Sequence, residues 1–361
     1  MDSFSDSYAE ARGKFLAAAG DAGARLGTHV LPELKGPQGE TLSCDVAVLG
    51  PERAERAVIV VSGTHGIETF AASAVQHRWL AARNGAQTPA DLKIVLVHAI
   101  NPWAFAHKTR ANENNVDINR NFLRGAEWQG WPNPAYDRLA PFFHSDPSDA
   151  ARCHETWNAY RAYLAQHGAH LENELFEGQT HRPDGLCYAG AGPQWSNVTF
   201  RRIVREHLAA AKLVGILDWH TGVGAFGQIV HLIFDPVQSA EYAAAAGWWG
   251  LAPQEPSAYK AGSTPNFRGL LCQAVRQELP DAFCAGGVIE FGTTGDYALF
   301  RADLLDVWLR NAGRADPGHD HFRDDYRNAL CPRDLAWRRS VLHLGPLQME
   351  RLIAGVRSWH P

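Results

Sequence analysis

The apolar positions of this chain follow two periodicities that alternate along it. Ser5 to Leu26 carries an alanine-rich pattern at helical spacing, Thr41 to Leu49 (TLSCDVAVL) alternates apolar and polar, and Val58 to Val61 is a short all-apolar run. Helical spacing returns from Thr69 to Arg83, stopped by Asn84-Gly85, and Ile94 to Val97 reads as another buried strand. Leu213 to Leu217, Ile229 to Phe234 and Gly287 to Phe291 predict later strands. Helices are predicted over Asn197 to Lys212, Thr264 to Glu278, Ala298 to Asn311 and Leu347 to Ser358. Strands alternating with helices across short turns predict an α/β fold, with a mixed, largely parallel central sheet flanked by helices on both faces. Residues 123–195 break the rhythm: one helical stretch, Trp157 to Leu175, sits between loops rich in proline, glycine and aromatics. This region is expected to be an insertion that walls a site mouth.

Composition narrows the class. The 361 residues are 45% hydrophobic and 20% charged, with a formal net charge of −5, the profile of an ordinary globular chain with a sizeable core. No lysine- or arginine-rich block occurs, which argues against nucleic acid as a partner. No apolar stretch approaches the ~18 residues that a membrane span needs. The N-terminus, MDSFSDSYAEARGKFLAAAGDAGARL, has acidic residues early and lacks the long apolar core of a secretory signal, and the six cysteines are scattered without C-x-x-C pairs. Reduced thiols and a cytoplasmic location are expected. The chemistry described next is spread from His65 to Glu290, so one catalytic domain spanning residues 1–361 is expected.

Three of the strand-like runs end in chemistry. VIVVSGTHGIE (Val58 to Glu68) carries His65 and Glu68 three positions apart, LDWHTG (Leu217 to Gly222) carries His220, and GVIEFG (Gly287 to Gly292) carries Glu290. In an open α/β sheet the carboxyl ends of the strands form one edge, where ligands bind. Two imidazoles and a carboxylate are a zinc ligand set that leaves a fourth position open, and zinc lowers the pKa of a bound water from ~15.7 to ~7. A proton must still travel from that water to a leaving group, which calls for a carboxylate that does not ligate the metal. Glu290 is the candidate. An H-x-x-E pair alone is common by chance; its conjunction with the two other strand ends carries the reading.

Residues Asn101 to Phe122 read NPWAFAHKTRANENNVDINRNF. With this segment the chain resembles the zinc carboxypeptidase superfamily of carboxypeptidase A, which includes amidohydrolases of the aspartoacylase and succinylglutamate desuccinylase type. There an H-x-x-E pair, an arginine ahead of a D-x-N-R motif, a later histidine and a distant glutamate form one site. The resemblance implies that His65, Glu68 and His220 hold one zinc ion per chain and that Glu290 is the general acid/base. It further implies that Arg110 stabilises the oxyanion, that Asn119 and Arg120 grip the substrate carboxylate, and that Asp117 orients His65. A planar guanidinium suits bidentate carboxylate recognition, and metal-bound imidazoles usually donate their second N–H to a carboxylate. Tyr259, in the loop SAYKAGSTPNFRG, stands near the place of the family's substrate-capping tyrosine, but its flanks differ.

The expected activity is zinc-dependent hydrolysis of an amide bond beside a free carboxylate, in a small peptide or an N-acyl amino acid. The carboxypeptidase-like reading leads and a deacylase is the alternative. A non-catalytic metal-binding relative would have no need of Glu290. A two-metal site would need more ligands, and Asp117 and Asp218 read better as supporting groups. His319 and His321, in PGHDHF, read as an exposed polar loop.

Overall fold

The computed structural model describes residues 2–83, 85–251, 265–311 and 320–359. Its centre is a seven-stranded sheet in the order β1-β2-β4-β3-β5-β7-β6, formed by β1 (Arg25–Lys35), β2 (Thr41–Leu49), β3 (Arg56–Val61), β4 (Leu92–His98), β5 (Leu213–Gly222), β6 (Ile229–Leu232) and β7 (Phe283–Gly292). The four middle strands β4, β3, β5 and β7 run parallel, and the outer pairings are antiparallel. This is the mixed, largely parallel sheet that the hydrophobic runs predict.

Both faces of the sheet are covered, which is why β3 and β5 read as continuous apolar runs rather than as alternating ones. Val58 and Val60 of β3, with Leu213 and Leu217 of β5, pack into one core. That core is shared with α1 (Tyr8–Asp21), α2 (Thr69–Ala81), α8 (Ala240–Trp249) and α12 (Leu335–Ser358). Ile59, Val61, Val214 and Ile216 point the other way, onto α7 (Trp195–Leu208) and α9 (Leu271–Glu278). From β3 the chain passes through α2 to β4 on one side, whereas β5 flanks β3 on the other. This reversal opens a crevice beyond the carboxyl ends of β3 and β5, the usual ligand position in such sheets.

Several boundaries differ from the sequence reading. β5 and β7 run to Gly222 and Gly292, so His220 and Glu290 lie inside the strands, register partners of one another, rather than just past them. β1 was not anticipated: the helical pattern extended to Leu26, but α1 stops at Asp21 and an 11-residue edge strand follows. Only Leu31 of that strand is buried, so it carries little hydrophobic signal. The helix expected from Leu347 begins at Leu335 and runs through Pro346. His321 lies in the first turn of α11 (Asp320–Leu330), not in a loop, and its ring lies against that of Phe322, tilted by 38°; His319 lies outside the described residues.

Residues 123–195 fold into α4 (Pro134–Phe143), α5 (Ala150–His167) and α6 (His170–Leu175). Tyr136, Leu139, Phe143, Tyr160 and Leu175 make a separate small core with Phe300, Leu304 and Val307 of α10 (Asp296–Asn311). No helix among the described residues is long and apolar enough to cross a membrane.

Candidate metal centre and active site

The turn after β3 is built on glycine. Gly63 has φ +90°, a conformation that L side chains rarely adopt, and a Cβ on Gly66 would lie 2.1 Å from the Ala104 carbonyl carbon. The close approach lets the Gly66 and Ile67 N–H groups donate to the carbonyls of Arg110 and Thr109, at 3.2 and 2.8 Å. The H-x-x-E turn is thereby stitched to the segment that carries Arg110. Glu68 then opens α2, so His65 and Glu68 project together into the crevice.

In β5 two polar residues spaced i, i+2 share a face and are wholly buried, so they must satisfy one another. Asp218 accepts from Thr64 Oγ1 at 2.8 Å and faces His220 Nε2 at 2.9 Å. His65 has the matching arrangement, with its Nε2 3.0 Å from Asp117 Oδ1. Burial works against the charge on Asp117, but His65, Arg110 and Arg120 outweigh it and hold its carboxyl well below the ordinary range. An ionised carboxylate can only accept, so the proton of each ring sits on Nε2. The two Nδ1 atoms are left facing one another at 3.1 Å, with Glu68 Oε1 2.9 Å from His65 Nδ1 and Glu68 Oε2 3.2 Å from His220 Nδ1.

Two lone pairs and a carboxylate converging on one point repel unless a cation lies among them. Burial disfavours charge on His220, yet Asp218 and Glu68 raise its pKa well above the ordinary histidine value, a sign of how strongly this pocket draws positive charge. The ligand atoms of His65, Glu68 and His220 all lie within 4.8 Å of one another, and among the described residues no other such group occurs. Nitrogen and carboxylate donors in this number suit zinc. The fit is good, because both rings are already held in the tautomer that a metal ion requires.

Glu290 stands beside this centre, 8% exposed, with Oε2 buried and without a hydrogen-bond partner. Burial, together with the charge of Glu68, pushes its carboxyl up to about 7, against the pull of His220 and His65. Arg110 bridges Glu68 and Asp117 at 3.3 Å each and lines the cavity. Its backbone N–H donates to the buried Asp306 of α10 at 3.2 Å.

Asn119 and Arg120 form a single 3-10 turn capped by Asp117, whose Oδ1 accepts from Asn119 N at 2.8 Å. Both residues line the cavity, but the arginine fork is differently engaged from the expectation. Its Nε and Nη2 donate to the Phe176 carbonyl at 3.0 and 2.6 Å and its Nη1 to the Asn119 carbonyl at 2.8 Å, which leaves one proton on each terminal nitrogen for a ligand. Asn119 Oδ1 accepts from Leu271 N at 2.9 Å, so the NH₂ end is what this side chain can offer. Tyr259 lies outside the described residues.

The crevice encloses about 580 Å³ and is lined by His65, Glu68, Arg110, Arg120, His220 and Glu290 together with residues of the insertion and of α10. The sequence reading did not single out several of these: Tyr160 and Glu172 of the insertion, Phe300 and Asp303 of α10, and the Thr221 N–H that donates to Glu68 Oε2 at 3.0 Å. No short motif marks them.

The sheet order, the two-sided core and the site at the carboxyl edge define an α/β protein of the carboxypeptidase-like fold with a candidate His-Glu-His metal centre. The chain belongs to the family described as "Protein of unknown function (DUF2817)", whose model matches residues 4–344. No curated protein matches it in sequence. Among solved structures it is similar to bovine thrombin-activatable fibrinolysis inhibitor in complex with tick carboxypeptidase inhibitor, at 9% identity over 98% of this chain and 97% of that one, with a TM-score of 0.50. It also matches a putative carboxypeptidase from Burkholderia mallei (13% identity, 96% and 67% coverage, TM-score 0.46). A third match is a putative succinylglutamate desuccinylase/aspartoacylase from Shewanella frigidimarina (17% identity, 81% and 72% coverage, TM-score 0.36). At these identities the likeness is one of fold.

Proposed function

We propose that the protein is a zinc-dependent hydrolase that cleaves an amide bond next to a free carboxylate, in the manner of a carboxypeptidase. The observation that carries the reading is the pair of imidazoles whose Nε2 atoms are committed to Asp117 and Asp218, while both Nδ1 atoms converge with Glu68 beside Glu290, whose Oε2 is buried without a donor. One zinc ion held by His65, Glu68 and His220 would supply Lewis acidity toward the scissile carbonyl and toward water.

The rest of the chemistry falls to the chain's own residues. Glu290, with a pKa near neutrality, takes a proton from the attacking water and returns it to the departing nitrogen, so that water is added across the C–N bond. Arg110 reaches the cavity from its bridge between Glu68 and Asp117 and offers its charge to the oxygen that becomes negative. The free protons of Arg120 and the amide of Asn119 hold the substrate carboxylate. A pure metal-binding role would have no use for a buried carboxylate oxygen without a donor. An N-acyl amino acid deacylase would use the same residues on a shorter substrate, and the cavity volume suits either. Six free, buried cysteines are consistent with action in the cytoplasm.

The test is release of free amine from paired substrates that differ only at the carboxylate. N-acyl amino acids and short peptides with a free acid should be cleaved at least ~10²-fold better in kcat/KM than their C-terminal amides, since a guanidinium left without its anion is costly. Arg120→Ala should bring the ratio toward one, and Arg120→Lys should not restore it. Equal cleavage of acid and amide by the parent protein would contradict the carboxylate clamp.

A further inference from the structure

One outer edge of the sheet is open. β1 ends the strand order, pairs with β2 alone and runs for 11 residues, about twice the ordinary strand length. Among the described residues no group outside β2 bonds to the main chain of residues 26–31. A long edge with free N–H and C=O groups is a template for another strand, and chains ordinarily blunt such edges with charge, proline or a bulge. β1 is blunted at one end only. Its register with β2 is regular from Arg25 to Val30 and then slips, where Pro32 follows and Glu33 takes φ +64°.

The regular half carries apolar side chains on its open side. Strand alternation puts Leu26, Thr28 and Val30 on one face. That face is the α1 side: Thr28 Oγ1 donates to Asp45 Oδ1 at 2.7 Å, and Arg12 of α1 pairs with the same carboxylate at 2.6 Å. Leu26 is 48% and Val30 53% exposed, and of the large apolar side chains left exposed among the described residues only these two lie in a strand. On the other face the charges of Glu206 and Arg202 of α7, both exposed and one helical turn apart, reach the His29 ring.

These features select a partner. A second copy of β1, antiparallel about a two-fold axis normal to the sheet, matches residue i with j and j with i. Centred on Thr28, Leu26 of each chain stands opposite Val30 of the other with the two threonines between them, so the apolar side chains cover one another. Arg25 then stands opposite Leu31. Centring on Val30 would set Arg25 against Lys35, two like charges, and centring on His29 would set Leu26 against Pro32, which cannot donate to a ladder. The Thr28-centred ladder ends at Leu31, one residue past the last regular pair with β2. On the opposite face the same axis runs α7 antiparallel to its copy, which brings Arg202 of one chain toward Glu206 of the other.

We propose that the protein is a two-fold symmetric dimer in which β1 pairs with β1 of a second copy in the Thr28-centred register, joining the two sheets into one. β2 and β4 separate β1 from β3, so this pairing leaves both crevices open, facing opposite ways along the strands.

Analytical ultracentrifugation of the full chain should give twice the 39.7 kDa chain mass at ~10 µM, an affinity ordinary for an interface of standard size. The double variant Leu26→Lys/Val30→Lys, at two exposed positions, sets ammonium groups opposite one another and should weaken the dimer on the order of 10²-fold with unchanged circular dichroism. Cysteine cross-linking reads the register. All six native cysteines are buried, so a thiol introduced on the exposed face of β1 reacts alone. Thr28→Cys should join two chains through a disulfide under mild oxidation, since opposed residues have Cα atoms ~5 Å apart. Val30→Cys should not, because the two copies of residue 30 stand ~13 Å apart in this register. A parent chain that stays monomeric at ~100 µM overturns the dimer. A dimer that survives the double lysine variant, or that Thr28→Cys fails to cross-link, overturns the pairing through β1.

Discussion

The two walls of the crevice are made in different ways. The wall that carries His65, Glu68, His220 and Glu290 grows out of three adjacent parallel strands, β3, β5 and β7. There each functional side chain is fixed by its position in a strand or by one glycine turn, and His220 and Glu290 are register partners. The opposite wall is assembled from side chains far apart in sequence, Tyr160, Glu172 and Asp303, held by a small aromatic core between the insertion and α10. A strand edge delivers chemistry at predictable places. A helical wall delivers it wherever packing allows, and so can vary without disturbing the sheet.

This contrast predicts an order of effects. On the strand wall, Glu290→Gln should retain zinc but lose turnover by a factor on the order of 10² to 10⁴, measured as kcat on the best substrate of the acid series. Unchanged kcat in that variant would take Glu290 out of the mechanism. Asp117→Ala and Asp218→Ala should each weaken zinc affinity about 10- to 100-fold, by freeing a ring to rotate and change tautomer, and a competition titration against a chelator would measure it. Affinity equal to that of the parent in both variants would mean that the rings are oriented by something else.

On the helical wall the smallest effect is one of stability. The Asp303 carboxyl is raised from 3.8 to about 7, so between those values the folded chain binds more protons than the unfolded one. Stability therefore falls as pH rises through this window, and Asp303→Asn should remove that part of the slope. Denaturant unfolding of metal-free protein at pH 5 and pH 8 should show the difference between the two pH values shifting by on the order of 1 kcal/mol in the variant. An identical pH dependence in parent and variant would mean that Asp303 is no more protonated in the folded chain than in the unfolded one.

The same contrast explains what was legible in the sequence. The parallel strands β3, β4, β5 and β7 announce themselves as apolar runs because both faces are covered, and His65, Glu68, His220 and Glu290 stand out as polar residues in or beside those runs that must have a reason to be buried. β1 was illegible because it is an edge strand with one buried residue. Asp117 could be assigned to His65 only through the D-x-N-R pattern, while Asp218, two residues before His220, follows from strand geometry alone. The engagement of Arg120 with the Phe176 carbonyl could not be read, because it joins segments 56 residues apart across the insertion. Glu172 and Asp303 were missed for the same reason. Neither lies in a motif, and each looks like one more charge on an amphipathic helix.

The central claim is that His65, Glu68 and His220 together hold one metal ion, and a zinc titration tests it most directly. Metal-free parent protein, stripped with chelator and titrated calorimetrically, should bind one zinc per chain at these ligands. His220→Ala, shown to be folded by its circular dichroism, should bind far more weakly, because one of only three protein ligands is gone. The same stoichiometry and affinity in His220→Ala as in the parent would contradict the account, since the metal would then be held elsewhere.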